Sequence, residues 1–490
     1  MGPHTSDLGD MLQQMDGVPF AVELLAKQAQ GVDLDITLQR WRDERLEMLQ
    51  SDASKGFDLT ESIEFSLRDP RLSENARRLL SVLALLPAGL SETDRRSLFP
   101  WSTAAIALLQ KAALVEREGR RWRLLVFIRE QVRDTRPPQE EDKKKLLEFY
   151  FSLAQRLGPQ VGKANGREAF NQLFEEIDNI ESLLLMALEE KNTDVAIAAA
   201  LQVSDFVRFS GRGSAQPLEK AQEVAKRQGD RVKEAWCLLA LSRLHLLRRP
   251  QYNRARQLLE KALGLFQQAG DPKGEAECLR ELGHTAANEY ELEKVEGKLE
   301  QAEGYFRRAL TMQEQFDDPI GEAYCRHGLA RVALLQDKHE EARRLFRETL
   351  QMFSEQNDQL GQAYSLRHLG ELEEDDSQLR KACEFFDEVG ELRNLAHGLH
   401  SRSELARKRG ALEEAEQLCR QALDWFQKLR ASREEAWCRI SLAQVVHVRS
   451  RPAEAHALLE QALQSARQLR DEKCEEKCLR LLREWGEPPA

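Results

Sequence analysis

The sequence predicts an all-α protein: a small domain of three helices with a two-stranded wing, followed by an α-solenoid of helical hairpins wound as an α-α superhelix. Three observations carry this. The 490 residues are 32% charged and 7% aromatic with only 15 Pro, the balance of long surface helices in which Glu, Lys, Arg and Gln accumulate. One sequence frame recurs through the second half of the chain. A single short stretch, from Leu114 to Arg123, has the turn-centred pattern of a hairpin. A 41% hydrophobic content allows a large interior, and the net charge of -11 argues against general nucleic-acid binding, which needs a surplus of Lys and Arg on one face. No apolar run approaches the roughly 18 residues of a membrane span, and residues 1 to 15 carry no basic start followed by an apolar core. A cytoplasmic protein with no membrane contact is the expectation.

The repeat is read from "GDRVKEAWCLLALS", "GDPKGEAECLRELG", "DDPIGEAYCRHGLA", "NDQLGQAYSLRHLG" and "SREEAWCRISLA", with "LRNLAHGLHSRS" as a weaker copy. Ala235, Ala276, Ala323, Ala363, Ala396 and Ala436 are equivalent positions, and "DEKCEEKCLRLL" reads as a degenerate last helix. A second helix in each unit repeats small and apolar residues along one stripe, as in Ala255, Ala262, Leu263 and Phe266, so that two helices can approach closely. Asp271 with Pro272, and Asp318 with Pro319, place a capping carboxylate just before a residue suited to the first helical turn. Cys237, Cys278, Cys325 and Cys438 fall amid apolar helix residues and read as small buried fillers. The Leu-Gly pairs Leu282 and Gly283, Leu369 and Gly370, followed by Ala and Phe in the second helix, resemble tetratricopeptide repeats. A period near 40 residues also overlaps HEAT and armadillo repeats, but the 19-residue step from Ala323 to Ala342 and from Ala363 to Ala382 favours tetratricopeptide. An insertion near "NEYELEKVEGK" and a clipped second helix ending at Gly390 should perturb the stack locally.

Such arrays hold a protein or peptide on a concave face. If the family geometry carries over, the groove-facing residues are Trp236, Arg243, Arg280, His284, Tyr324, His327, Arg331, Tyr364, Arg367, His397, His400, Trp437 and His447. Aromatic rings interleaved with Arg and His suit an acidic peptide. The competing reading is that these side chains only pack the hairpins or face solvent. His397 with His400, and Cys474 with Cys478, have helical metal-ligand spacing but no third ligand, so neither a metal site nor a catalytic site is expected.

In the first half, the Leu79, Leu80, Leu83, Leu86 stripe gives a buried helix ended by Pro87 and Gly89. "AIALLQKAALVEREGRRWRLLVFIREQVRD" then gives a helix, a short strand at Leu114 and Val115, a turn at Gly119, a strand from Trp122 and an amphipathic helix with Ile128 and Val132. Three helices and a wing make a winged helix. Arg117, Arg120, Arg121 and Arg123 would be its phosphate contacts on DNA. Its would-be recognition helix, Thr103 to Ala113, offers only Gln110 and Lys111 to bases and is expected to lie buried against a neighbour.

"GVPFAVELLA" near the start resembles the Gly-x-Pro motif of STAND signalling ATPases, the NB-ARC-like and NLR-like group. "RWRLLVFIRE", Arg121 to Glu130, is similar to that family's winged-helix closing pattern, and "EEIDNIESLLLMAL", Glu175 to Leu188, to its helical connector. The resemblance implies a remnant of the nucleotide-binding module over residues 1–50, a winged helix over 51–135, a connector over 136–228 and repeats over 229–490. It also implies a nucleotide contact through Gly17 and Pro19. The family's phosphate-reaching His aligns with Leu125 or Val126, and no GxxxxGK[ST] stretch exists, so ATP or ADP is expected only if a P-loop domain lies upstream. The leading expectation is a non-enzymatic interaction or sensor protein, equivalent to the C-terminal part of a STAND protein. The alternatives are a winged-helix transcription regulator with effector-binding repeats, a bare scaffold, and a truncated piece of a full STAND ATPase.

Overall fold

The computed structural model describes Leu67, Pro70 and residues 72–486, apart from Ala113, Asn165, Lys191, Asn192, Arg249 and Pro250. The joint at Gly17 and Pro19 and the expected module over 1–50 lie outside the described residues. Two compact units are present. The first takes the described residues up to Ser152 together with Glu175–Ala187; the second takes Leu153–Phe174 and Leu188 onward. The segment expected as one connector, 136–228, is therefore divided between them.

In the first unit, α1 (Glu74–Ala84) starts at Ser73, whose hydroxyl accepts from the Ala76 N–H at 3.2 Å. Leu79, Leu80, Val82 and Leu83 fill the interior. Then come β1 (Leu90–Ser91), α2 (Glu92–Leu98), α3 (Thr103–Lys111), β2 (Glu116–Glu118), β3 (Arg121–Arg123) and α4 (Val126–Thr135). The sheet order is β1-β3-β2, antiparallel throughout, with Trp122 opposite both Leu90 and Arg117. Two details differ from expectation. Leu114 and Val115 are buried core residues leading into the hairpin rather than its first strand, and β1 adds a third strand. Apolar side chains at two successive positions are better placed in the interior than on a two-faced, exposed hairpin. Helix α5 (Glu140–Leu157) follows, then α6 (Gly166–Glu189).

In the second unit, α7 (Thr193–Gln202), α8 (Ser204–Ser210) and α9 (Gln216–Gln228) precede the repeats. The repeat hairpins are α10 (Arg231–Arg248) with α11 (Tyr252–Ala269), α12 (Pro272–Glu293) with α13 (Lys298–Gln315), and α14 (Pro319–Leu335) with α15 (His339–Glu355). They continue as α16 (Gln359–Glu373) with α17 (Asp376–Val389), α18 (Leu392–Lys408) with α19 (Leu412–Lys428), and α20 (Ser432–Val448) with α21 (Pro452–Leu469). Helix α22 (Glu472–Trp485) ends the stack. This is an α-solenoid of tetratricopeptide-like hairpins.

The local chemistry explains the regularity. Asp271, Asp318, Asp358 and Asp471 each accept, through a side-chain oxygen, the N–H of the residue three positions on, at 3.0–3.1 Å. Phe266, Phe306, Phe346, Phe353, Phe386 and Phe426 are buried, and Phe266, Phe306 and Phe353 lie against first-helix Gly274, Gly283, Gly328 and Gly361, the close approach that the small residues permit. The described cysteines are free and buried, as fillers should be. The insertion lengthens α12 to 22 residues, and the clipped unit consists of 15- and 14-residue helices closed by Gly390 in the left-handed conformation. No helix of the described residues is long and apolar enough to cross a membrane.

Candidate functional site: the face formed by the first helices

The rings expected in the groove have a more specific use. Trp236 meets Phe266 edge-on at 5.2 Å, His284 meets Phe306 at 4.9 Å, and Tyr324 meets Phe353 at 4.8 Å. His327 lies 5.3 Å from Phe346, Tyr364 lies 5.4 Å from Phe386, and His397 lies 5.1 Å from Phe426. Each Phe belongs to the second helix of the same hairpin, so these rings close hairpins. Trp437 donates through Nε1 to Asp471 at 3.4 Å, and His447 stacks on Trp485 at 4.0 Å. Among the expected groove residues, His327 is buried outright.

The charged residues instead join successive first helices. Arg243 on α10 donates to Glu277 and Glu281 on α12, both at 2.8 Å. Arg280 donates to Glu277 at 2.5 Å and lies 5.4 Å above the ring of Tyr324 on α14. Arg331 on α14 reaches back to Asn288 at 2.9 Å and Glu291 at 3.3 Å, and its Nη1 is 3.4 Å from His284 Nδ1. Arg367 donates to Glu371 at 2.8 Å, and Ser401 on α18 donates to the same carboxylate at 2.7 Å. His400 Nε2 and Ser441 Oγ, on α18 and α20, are 2.9 Å apart. A polar ladder thus runs from α10 to α14 and resumes from α16 to α20, with ring contacts of His327 to Tyr364 and His368 between.

Burial and neighbouring charge set the protonation states of this ladder. Burial alone would raise the Glu281 carboxyl, but Arg243 and Arg280 outweigh it and hold the group well below the usual range. Burial pushes His284 and His397 down to about 3 and His368 down to about 4. It also pushes the Tyr324 and Tyr364 phenols up. At neutral pH His284, His368 and His397 are therefore neutral imidazoles among paired guanidinium and carboxylate groups. Some hydrogen-bonding capacity is unused. Among the described residues, Arg280 Nε, Arg367 Nε and His327 Nε2 are buried without a hydrogen-bond partner.

Sequence reasoning missed Glu277, Glu281, Glu371 and His368. The signal was there for the acids: Glu277 and Glu281 lie one helical turn apart beside Arg280, a spacing that puts all three on one stripe. His368, stacked on Phe346 at 4.8 Å and 5.5 Å from His327, follows an Arg in the sequence and carried no comparable signal.

Of the expected DNA contacts, Arg121, Arg123 and Arg117 are otherwise engaged. Arg121 donates to Glu176 at 2.5 and 2.8 Å and to the carbonyls of Ala88 and Gly89 at 2.8 and 2.9 Å. Arg123 pairs with Glu118 at 3.2 Å, and Arg117 lies 5.6 Å from the Trp122 ring; Arg120 is exposed. Helix α3 is not covered as expected: Ala104, Ala107, Gln110 and Lys111 are exposed, because its apolar stripe of Ala105, Ile106 and Leu109 alone packs inward. The place of the family's phosphate-reaching His is held by Leu125, which caps α4, and the buried Val126. Among the described residues no three His, Cys, Asp or Glu converge as a metal site.

The sequence pattern of the tetratricopeptide repeat matches residues 291–355 and 392–468. No curated protein matches the sequence. Among solved structures, the chain is similar to a STAND protein with a tetratricopeptide repeat sensor from Pyrococcus horikoshii, at 15% identity over 95% of this chain and 72% of that one, with a TM-score of 0.44. It is also similar to a Rap protein complexed with competence and sporulation factor, at 13% identity over 71% and 98% of the two chains, with a TM-score of 0.43. A third is the Cut9-Hcn1 hetero-tetramer of the APC/C, at 15% identity over 92% and 77%, with a TM-score of 0.43.

Proposed function

We propose that the chain is a non-enzymatic interaction protein whose first-helix face binds a segment of a protein or a peptide. The observation that carries this is the presence of buried nitrogens that the polar ladder leaves without a hydrogen-bond partner, among them Arg280 Nε, Arg367 Nε and His327 Nε2. A buried polar group without a partner costs roughly 1–3 kcal/mol, so a ligand that supplied hydrogen-bond partners there would recover that cost on binding. The acidic character expected of the partner is not part of the proposal, because Arg243, Arg280 and Arg331 already face Glu277, Glu281 and Glu291.

The first unit has the element order of a winged helix, and we assign it the relay role of a STAND-like signalling protein. The motif resemblance at Arg121–Glu130 and Glu175–Leu188 supports this. Residues 1–50 would then belong to the nucleotide-binding module, with Gly17 and Pro19 touching ATP or ADP only when a P-loop domain is supplied. A DNA-binding role is not favoured, since Arg121 is spent on Glu176.

Selection of short peptides from a displayed library against the full chain, followed by titration of the winners, tests the proposal. Arg280→Ala and Arg367→Ala should each weaken the selected peptides about tenfold or more, with helical content unchanged. Winners that bind both variants as tightly as the unmodified chain would show that this face is not the site.

A further inference from the structure

Helix α8 is seven residues long, "SDFVRFS", too short to persist in isolation, so its order comes from what it packs against. It lies against both α10 and α18, first helices separated by several repeats. Phe206 and Phe209 are buried, and the Phe206 ring is 5.1 Å from that of Phe170. Asp205 contributes to the field at Arg243 and Tyr364, and Arg208 to that at Glu281, His284 and Glu391, all on the first-helix side of the repeats or at its joints. Asp205 and Arg208 also face each other at 3.8 Å across one helical turn.

The stretch Gly158–Phe174 packs alongside. The Gly162 N–H donates to the Val389 carbonyl at 3.0 Å, in the joint between α17 and α18. Arg167 pairs with Asp387 at 3.0 Å and lies 5.6 Å from the Trp425 ring. Gly390 abuts Phe170: a Cβ there would stand 3.0 Å from the Phe170 Cβ. Downstream of α8, Gly211 and Gly213 take the left-handed conformation, and a Cβ at Gly211 would stand 2.9 Å from the Leu429 carbonyl.

We propose that α8, braced by Gly158–Phe174, is a built-in occupant of the first-helix face, and that the partner is a short helical segment of the same kind. That segment would carry an acidic residue one turn ahead of a basic one, each flanked by an aromatic residue. This rests on the reading of that face as the binding site. A tethered occupant competes at the effective concentration its linker sets, on the order of millimolar for a short linker. The free partner's apparent affinity is accordingly reduced by the fraction of time the face is open.

The test uses the full chain and, as probe, a fluorescent peptide of residues 201–214. Two opened forms are compared with the unmodified chain: Asp205→Ala with Arg208→Ala, and Arg167→Asp. The second is paired with the swap Arg167→Asp/Asp387→Arg, which should restore the brace. Hydrogen exchange of residues 204–210 is followed in each. The expected result is faster exchange in both opened forms, probe binding at least tenfold tighter than to the unmodified chain, and a return towards unmodified behaviour in the swap. Equal probe binding by the unmodified and opened chains would overturn the built-in occupant while leaving the face as a binding site. Faster exchange without probe binding, with the displayed library also yielding nothing on the opened forms, would overturn both readings. Unchanged exchange in both opened forms would likewise reject the proposal, because the named contacts would then not hold α8.

Discussion

The ring of Phe306 occupies the space that a side chain at Gly328 would need, and it crowds Gly283 from the other side. Phe306 is on α13, Gly283 on the first helix of its own hairpin and Gly328 on the first helix of the next, so one buried ring sets the spacing of three helices. Gly328→Ala would overpack this contact. A loss of about 1–3 kcal/mol is expected, read as a lower urea midpoint with an unchanged slope. Gly304, around whose Cβ position there is open space, is the control: Gly304→Ala should be neutral or stabilising.

In the first unit, Arg121 is the hub. It binds Glu176 and the Ala88 and Gly89 carbonyls, while the buried Asn179 accepts from the Ala88 N–H at 2.9 Å and donates to Tyr150 Oη at 3.1 Å. Arg121→Met should strand the mostly buried Glu176 carboxylate and cost about 3–5 kcal/mol, the usual result of removing one member of a buried pair. Denaturation followed by Trp122 or Trp101 fluorescence would show it; an unchanged midpoint would mean that Glu176 finds water instead.

The aspartate caps give a milder, more local effect. Asp318→Ala removes the acceptor for the Gly321 N–H at 3.0 Å and should cost about 1 kcal/mol. In a stack where each repeat touches mainly its neighbours, the loss should concentrate in faster exchange of α14 amides and fade along the array. Equal acceleration from α10 to α22 would contradict this.

These cases show why the fold was legible and the face only partly so. Asp before Pro, Ala at fixed steps and Leu-Gly pairs act through neighbours within one hairpin, so their meaning is local and the sequence carries it. Whether the ring of Tyr324 turns to the groove or to its own hairpin depends on Phe353, nearly thirty positions later, and on how closely two helices approach. Trp236 and His397, expected in the groove, lie on first helices and meet Phe266 and Phe426 of their own hairpins. The placement of "SDFVRFS" depends on tertiary packing against helices far along the chain, and no local pattern announces it.

The imidazoles give a pH prediction whose sign is fixed. His368 is buried, and its folded value, lowered by burial to about 4, lies below the ordinary 6.5. Above about pH 6.5 it is neutral in both folded and unfolded chains, and its full contribution to stability is present. As pH falls through 6.5 towards 4, the unfolded chain takes up a proton that the folded chain refuses, so stability is lost. At pH 5.5 the loss is up to about 1.4 kcal/mol for one such group. His284 and His397, lowered to about 3, act in the same direction, while Glu391, raised by burial, opposes them weakly at the acid end. Glu281 and Glu371 are held below their usual range, so their contribution begins to fall only as pH drops through the ordinary carboxylate region. Comparing pH 7.5 with pH 5.5 therefore isolates the histidines. His368→Phe, which can keep the stack on Phe346, should reduce the fall in urea midpoint between those two pH values. A fall as large as that of the unmodified chain would mean that His368 is protonated in the folded state.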